Sequence, residues 1–300
     1  MSAAELRPGI DAALVRRLVD AQFPQWRGLP VRPVDHDGWD NRTFRLGDAL
    51  SVRLPSAEGY IEQVAKEQRW LPRLAPLLPV AIPQPVAQGE PGEGYPFPWS
   101  VYRWLPGTPV VLAGDVSRDA ALADAVGRFL VTLRAAPTAG APAPGTHNFF
   151  RGAPPAVYEE EALAAFDLLD GPWRGRARAL WKEATDSRWQ ADPVWFHGDV
   201  APGNLLLDAA GALSAVIDFG TSGVGDPACD LVPAWTMFEG EAREAFVAAV
   251  GLDEPAWSRA RGWALWKSAI TVRDRPADAE ARATLARILS HGYPQYSGAG

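Results

Sequence analysis

At 300 residues the chain is about twice the usual domain length, which excludes a mini-protein or a lone binding module and implies one large or two unequal domains. Hydrophobic residues make up 47% and charged residues 22%, so the chain can bury a substantial core and is not disordered by composition. Asp and Glu outnumber Lys and Arg by 36 to 29, a net charge of −7 that argues against a nucleic-acid or anionic membrane surface and favours cationic partners.

Ile10, Leu14, Leu18 and Ala21 recur at helical spacing. Thr43–Leu46 and Leu50–Leu54 then read as two strands joined at Gly47-Asp48, a hairpin. Ile61, Val64, Gln68, Leu71, Ala75 and Leu78 outline a helix interrupted near its end by Pro72 and Pro76, with Glu67 bordering the buried stripe. Short strand-like pieces fill the proline-punctuated stretch from Pro79 to Pro98, ending in Trp99–Trp104 and a Pro106-Gly107 break. A boundary there divides the chain into residues 1–105 and 106–300. Beyond it, Leu122, Val126, Phe129, Leu130 and Leu133 form an amphipathic helix, and helical patterns follow over Pro155–Leu169 and Pro172–Arg188. Val194–Phe196, Asn204–Leu207 and Leu213–Ile217 read as strands, the last two joined by a turn at Asp208–Gly211, before helical pattern resumes from about Cys229 to Leu289. Cys229 is the only cysteine, residues 1–5 lack a signal-peptide pattern and no apolar run reaches the ~18 residues of a membrane span, so cytoplasmic residence is expected, with no membrane and no obligatory protein partner.

Polar residues concentrate in otherwise apolar sequence at His197-Gly198-Asp199-Val200-Ala201-Pro202-Gly203-Asn204, followed by Asp218-Phe219-Gly220. A loop holds Asp199 and Asn204 five positions apart, and the strand pair after it returns Asp218 to the same rim. Such a set suits phosphoryl transfer: one carboxylate orients and deprotonates a hydroxyl, while a carboxylate and an amide oxygen, both hard donors, hold Mg²⁺ on nucleotide phosphates. The blander alternative makes Asp199 and Asn204 turn formers and Asp218 a strand-end cap, but turn chemistry does not demand the whole ordered set.

The three motifs together resemble the aminoglycoside phosphotransferase family, kinase-like enzymes that phosphorylate antibiotics and small metabolites. His197-Gly198-Asp199 with Asn204 looks like its catalytic loop, Asp218-Phe219-Gly220 like its metal-binding segment, and Gly225-Asp226-Pro227-Ala228-Cys229-Asp230 like the block that follows. Only Thr221–Val224 separate the last two, where a protein kinase carries a long activation segment, which points to a small-molecule acceptor. The resemblance implies an α+β, two-lobed protein-kinase-like fold, with a small β-rich N-terminal lobe that clamps the nucleotide and a larger helical C-terminal lobe. It implies Asp199 as the catalytic group, Asn204 and Asp218 as magnesium ligands, Asp230 as a brace for the catalytic loop and His197 as a scaffold residue. The donor would be ATP or GTP.

In the N-terminal part, Arg53 occupies the place of this family's phosphate-binding lysine, with Glu67 as its helical partner. Arginine forks well onto phosphate oxygens but spreads its charge more broadly than a lysine. Of the 29 basic residues only Lys66, Lys182 and Lys267 are lysines. Lys66 is the alternative cation, but adjacent residues on a helix differ by about 100° and Glu67 takes the inward direction. The loop His36–Arg42 stands where a glycine-rich phosphate loop belongs; with Gly38 alone, and Asn41 beside it, it reads equally as a phosphate contact or a polar hairpin loop. Val101–Leu105, including Tyr102, Arg103 and Trp104, resembles the interlobe hinge whose backbone binds the purine. Glu159-Glu160-Glu161 attract a cation or simply complement a helix dipole, and the same two readings apply to Glu239, Glu241 and Glu244. Trp257, Trp263 and Trp266, at helical spacing, read as core before pocket wall.

Phosphorylation of an aminoglycoside-like amino-sugar is therefore the leading expectation, ahead of a macrolide, homoserine, choline-like or ketosamine acceptor. A catalytically idle nucleotide-binding protein and a protein kinase rank lower.

Overall fold

A computed structural model describes residues 9–35, 37–38 and 40–290. Its contacts divide the chain into two compact units: residues up to Pro106 together with Ala215–Gly220, and Gly107–Ser214 together with Thr221 onward.

The first unit opens with α1 (Ala12–Gln22), capped by Asp11, whose carboxylate accepts from Leu14 N at 2.8 Å. A five-stranded antiparallel sheet follows, built from β1 (Val31–Pro33), β2 (Asn41–Leu46), β3 (Leu50–Pro55), β4 (Pro85–Gly89) and β5 (Trp99–Arg103) in the spatial order β1-β2-β3-β5-β4. The β2–β3 hairpin is the expected one, with Gly47 in the left-handed region at φ 61°. The buried side of α1, Leu14, Val15, Leu18 and Val19, shares one core cluster with Phe44, Leu46, Val52, Leu54, Trp99 and Val101. Because side chains alternate across a strand, Val52 and Leu54 enter that core while Arg53 projects from the opposite face. Helix α2 (Ile61–Leu74) buries Gln63, Val64, Lys66, Glu67, Trp70, Leu71 and Leu74. Pro72 does not interrupt it: proline falls in the last turn, where its missing N–H costs one bond, and a 3₁₀ turn at Ala75–Leu77 carries Pro76.

The second unit starts with β6 (Thr108–Pro109) and α3 (Ala120–Arg134), capped by Asp119. The pattern expected over Pro155–Leu169 is a 3₁₀ turn at Pro155–Tyr158 leading into the shorter α4 (Glu159–Phe166), followed by α5 (Gly171–Asp186). Next come β7 (Val194–Phe196), β8 (Leu205–Leu207), β9 (Leu213–Val216), which begins in this unit and ends in the Ala215–Gly220 segment of the first, and β10 (Gly223–Gly225). β8 pairs with β6 and neighbours β9, whereas β7 pairs with β10, a strand with no sequence signal of its own. A tight turn closes β8–β9, where Asp208 Oδ1 accepts from Ala210 N at 2.8 Å and Ala212 N at 3.0 Å. The unit ends in α6 (Pro233–Thr236), α7 (Gly240–Val250), α8 (Glu254–Asp274) and α9 (Ala279–Ser290). Trp257, Trp263 and Trp266 all lie buried on α8, so they are core. No described helix is long and apolar enough to cross a membrane.

Candidate active site

In the first unit, β3, α2 and the Asp218–Gly220 segment bring charged side chains into one buried cluster. Arg53 splits its guanidinium between two carboxylates, Nη1 lying 3.4 Å from Glu67 Oε2 and Nη2 3.2 Å from Asp218 Oδ1. Tyr102, reaching from β5, donates its hydroxyl to the same Glu67 oxygen. Burial disfavours the Arg53 charge, but the flanking Glu67 and Asp218 carboxylates outweigh it and raise its pKa. Burial likewise pushes the Tyr102 phenol well up, with the Glu67 charge adding to the effect. Asp218 is the most exposed member, its side chain 31% accessible against 5% for Glu67. It also adopts φ 67°, a left-handed conformation that costs a residue with a side chain about 1–2 kcal/mol.

Lys66 departs from expectation. It is buried beside Glu67 and donates to the Gly220 carbonyl, two residues past Asp218. The 100° offset holds, but α2 is covered over an arc broad enough to take both positions. Burial lowers the Lys66 pKa to about 8 against the pull of Glu67, Asp218, Asp40 and Glu62.

Other expected nucleotide contacts fall differently. The Arg103 N–H donates to Gln84 O at 2.9 Å and the Trp104 N–H to Ala49 O at 2.8 Å, so these two backbone donors are already engaged. Arg103 is exposed, and the Trp104 ring lies 4.0 Å beneath the Arg45 guanidinium. Asn41 opens β2 opposite Pro55 and is buried. Open space surrounds Gly38, so no neighbour requires glycine there. Asp37 shapes this loop, accepting from Arg42 Nη1 at 2.7 Å and from Thr43 N at 3.0 Å; His36 and Trp39 lie outside the described residues.

In the second unit the chain after β7 turns sharply through His197-Gly198-Asp199, and each backbone polar group of the three residues has a named partner. Asp230 accepts from His197 N at 2.7 Å and from Gly198 N at 2.6 Å. Asp199 N donates to His197 Nδ1 at 3.2 Å, which places the ring proton on Nε2. Thr221 Oγ1 donates to His197 O at 3.1 Å, Arg151 Nε to Gly198 O at 3.1 Å, and Asn204 Nδ2 to Asp199 O at 2.9 Å. Gly198 sits at φ 87°, and a Cβ on it would lie 2.8 Å from Thr221 O, so only glycine fits the turn. His197 and Asp230 are buried, while Asp199 is exposed. Burial raises the Asp230 pKa, opposed by His197 and by the two N–H donors. Asp226, in the same segment, is fixed by a buried two-pronged pair with Arg259 on α8, Nε to Oδ2 at 2.6 Å and Nη2 to Oδ1 at 3.3 Å.

Asn204 Nδ2 donates to Asp199 Oδ2 as well, at 2.9 Å. Both of its acceptors being oxygens, the amide orientation is fixed and its own oxygen is turned away from Asp199. The described residues contain no cluster of three His, Cys, Asp or Glu side chains able to cage a metal. Nucleotide-bound Mg²⁺ needs no such cage, only one or two hard protein oxygens beside phosphate and water, and Asp218 and Asn204 are donors of that class.

Glu159, Glu160 and Glu161 occupy the first turn of α4. Glu161 accepts from Trp266 Nε1 at 2.9 Å and pairs with Arg273 at 3.4 Å; with Glu160, Val157, Tyr158 and Ala164 it lines an open depression of about 400 Å³. Glu239 pairs with Arg287, whereas Glu241 lies in the first turn of α7. Arg151 and Thr221 are the site contacts that sequence reading missed, and Lys66 is the one it weighed and set aside. Thr221 had a signal in directly following Asp-Phe-Gly; Arg151, in an irregular turn, had none.

The sequence profile of the phosphotransferase enzyme family matches residues 31–263. Viomycin phosphotransferase of Streptomyces vinaceus is 33% identical over 162 residues, covering 50% of this chain and 53% of the relative, so the match spans about half the length of either protein. Among solved structures, the GDP complex of wild-type aminoglycoside 2'-phosphotransferase-IIIa superposes with TM-score 0.72 at 21% identity, over 93% of this chain and 99% of that one. A macrolide 2'-phosphotransferase from Brachybacterium faecium superposes with TM-score 0.61 at 22% identity, over 95% and 99%. At such identities the likeness is one of fold, the α+β kinase-like plan expected from the motifs. On the match to residues 31–263, the chain belongs to the phosphotransferase enzyme family.

Proposed function

We propose that the protein transfers the γ-phosphoryl group of ATP or GTP to a hydroxyl of a small-molecule antibiotic, an aminoglycoside-like acceptor first among them. The observation that carries this reading is the loop from His197 to Asn204, in which the six backbone groups of His197, Gly198 and Asp199 are tied down and the Asp199 carboxylate, oriented by Asn204, stays exposed. Support also comes from the relatives' names: structures of the fold are described with GDP, ADP and ATP, and with kanamycin, gentamicin and streptomycin.

In this mechanism Asp199 accepts the proton of the acceptor hydroxyl as its oxygen attacks the γ-phosphorus; the bond from that phosphorus to the bridging oxygen breaks, and the nucleoside diphosphate leaves. Arg53, held by Glu67, offers its guanidinium to the nucleotide phosphates. Asp218 and Asn204 are the residues that would hold Mg²⁺, which supplies charge neutralisation on the phosphate oxygens when bound. Asp230 and His197 keep the loop in shape and take no proton from substrate. Carboxylates at the α4 depression suit an acceptor carrying amines, in keeping with the acidic net charge.

A coupled nucleotide-consumption screen with both ATP and GTP, over aminoglycosides, cyclic peptide antibiotics, macrolides and amino alcohols, tests the reading. It predicts magnesium-dependent turnover that rises on adding one of the antibiotic classes. Turnover with none of them, or only with an amino alcohol, would refute the assigned acceptor class.

A further inference from the structure

The carbonyl of Gly198, one residue before Asp199, is held by a side chain from a distant turn. That turn, residues 145–152, is unusually determined. Asn148 is fully buried and its Oδ1 accepts from Gly145 N at 3.0 Å; Phe150 N donates to Gly145 O at 2.8 Å and Arg151 N to Asn148 O at 3.1 Å. Phe149 and Phe150 both sit in the left-handed region, at φ 52° and 51°, a pairing that two bulky residues adopt only where their surroundings impose it. Gly152, at φ 79°, passes so close to the Phe196 ring that a Cβ there would lie 2.1 Å from it, and its carbonyl accepts from Asp226 N at 2.9 Å. The turn is thus locked to both β7 and the Asp226 segment, and what it delivers is Arg151.

The Arg151 guanidinium carbon lies 5.2 Å from the ring centroids of both Trp263 and Trp266, which meet each other edge to face, and Tyr158 stacks on Trp266 at 4.0 Å. Planarity matters in such a slot: Nε reaches Gly198 O while the fork lies against the indoles. Nη1 is buried with no hydrogen-bond acceptor.

We propose that Arg151 is a positioning residue for the phosphoryl-transfer reaction, setting the orientation of Asp199 through the Gly198 carbonyl. This rests on the reading of Asp199 as the catalytic group. Losing the contact frees the peptide preceding Asp199 to rotate, and a displacement of about 1 Å at a reacting group costs on the order of 100-fold in rate. Arg151→Ala is therefore expected to lower kcat about 10–100-fold while leaving the nucleotide KM within about twofold, and methylguanidinium in solution should restore part of the kcat by refilling the slot. Arg151→Lys, whose ammonium cannot both lie flat on the indoles and reach Gly198 O, should remain impaired; it also serves as the variant to measure if Arg151→Ala does not fold. Asp199→Asn is assayed in parallel. Unchanged kcat in Arg151→Ala or, where that variant does not fold, in Arg151→Lys would overturn the proposal while an inactive Asp199→Asn leaves the mechanism standing. So would a kcat loss without guanidinium rescue that tracks a lowered melting temperature. An active Asp199→Asn would remove the mechanism itself and the proposal with it.

Discussion

Arg53 and Asp199 stand in regions built on opposite principles. Around Arg53, position is set by charge: one guanidinium between two carboxylates, a phenol on one of them and a buried ammonium on the Gly220 carbonyl. Around Asp199, position is set by backbone hydrogen bonds made to neighbouring side chains. A charge cluster has partners to exchange: Asp218 and Arg53 satisfy each other, and in the proposed function phosphate and a divalent cation would compete for them. A backbone clasp has no such alternative partners. The contrast suits the proposed phosphoryl transfer, in which the Arg53 region would accept and release a highly charged ligand and the Asp199 region would hold one carboxylate still.

The largest effect should come from the still half. Asp199→Ala is expected to cut kcat by about 10²–10⁴-fold with nucleotide affinity nearly unchanged, read by steady-state kinetics beside nucleotide titration. Next, Asp230→Asn leaves one of two N–H donors facing an amide NH₂ in place of an oxygen, which should cost about 2–4 kcal/mol in chemical denaturation. A smaller loss would mean that the clasp tolerates rearrangement after all.

In the charged half, Glu67→Gln keeps the Tyr102 contact but removes the charge that anchors Arg53, and should raise the nucleotide KM about tenfold with kcat less affected. The same cluster also predicts a pH dependence. The folded-state pKa of Lys66 is lowered from 10.5 to about 8, so between those values the unfolded chain holds a proton that the folded chain has released. The burial penalty is in full force below pH 8 and is relieved as pH rises toward 10.5. Wild-type stability should therefore increase relative to Lys66→Met across that window, by up to about 3 kcal/mol, in denaturant titrations at several pH values. A difference that stays flat would place Lys66 outside the coupled cluster.

Legibility in the sequence followed the same divide between local and distant causes. The β2–β3 hairpin was readable because period-two alternation and Gly47 are local, and the Asp199, Asn204 and Asp218 spacing because it sits within one stretch of chain. β10 was not: Gly223-Val224-Gly225 has no strand propensity and is extended only because β7 lies beside it. α2 running through Pro72 reflects a proline near enough to the helix end to cost little. Lys66 turned inward because burial of α2 is set by what packs over it, which no single-helix argument contains. The Arg103 and Trp104 amides were engaged by Gln84 and Ala49, loop residues with no pattern linking them to β5. Arg151 depends on two consecutive left-handed phenylalanines, a conformation that their residue type argues against.

In the proposed function Asp199 directs a nucleotide's terminal phosphoryl group onto a small-molecule hydroxyl. Phosphorus NMR of the reaction mixture, with magnesium, nucleotide and the acceptor found by screening, tests it most directly. A new phosphomonoester resonance is expected with the wild-type protein and none over the same period with Asp199→Asn. Inorganic phosphate as the sole product, or an undiminished phosphomonoester from Asp199→Asn, would contradict it.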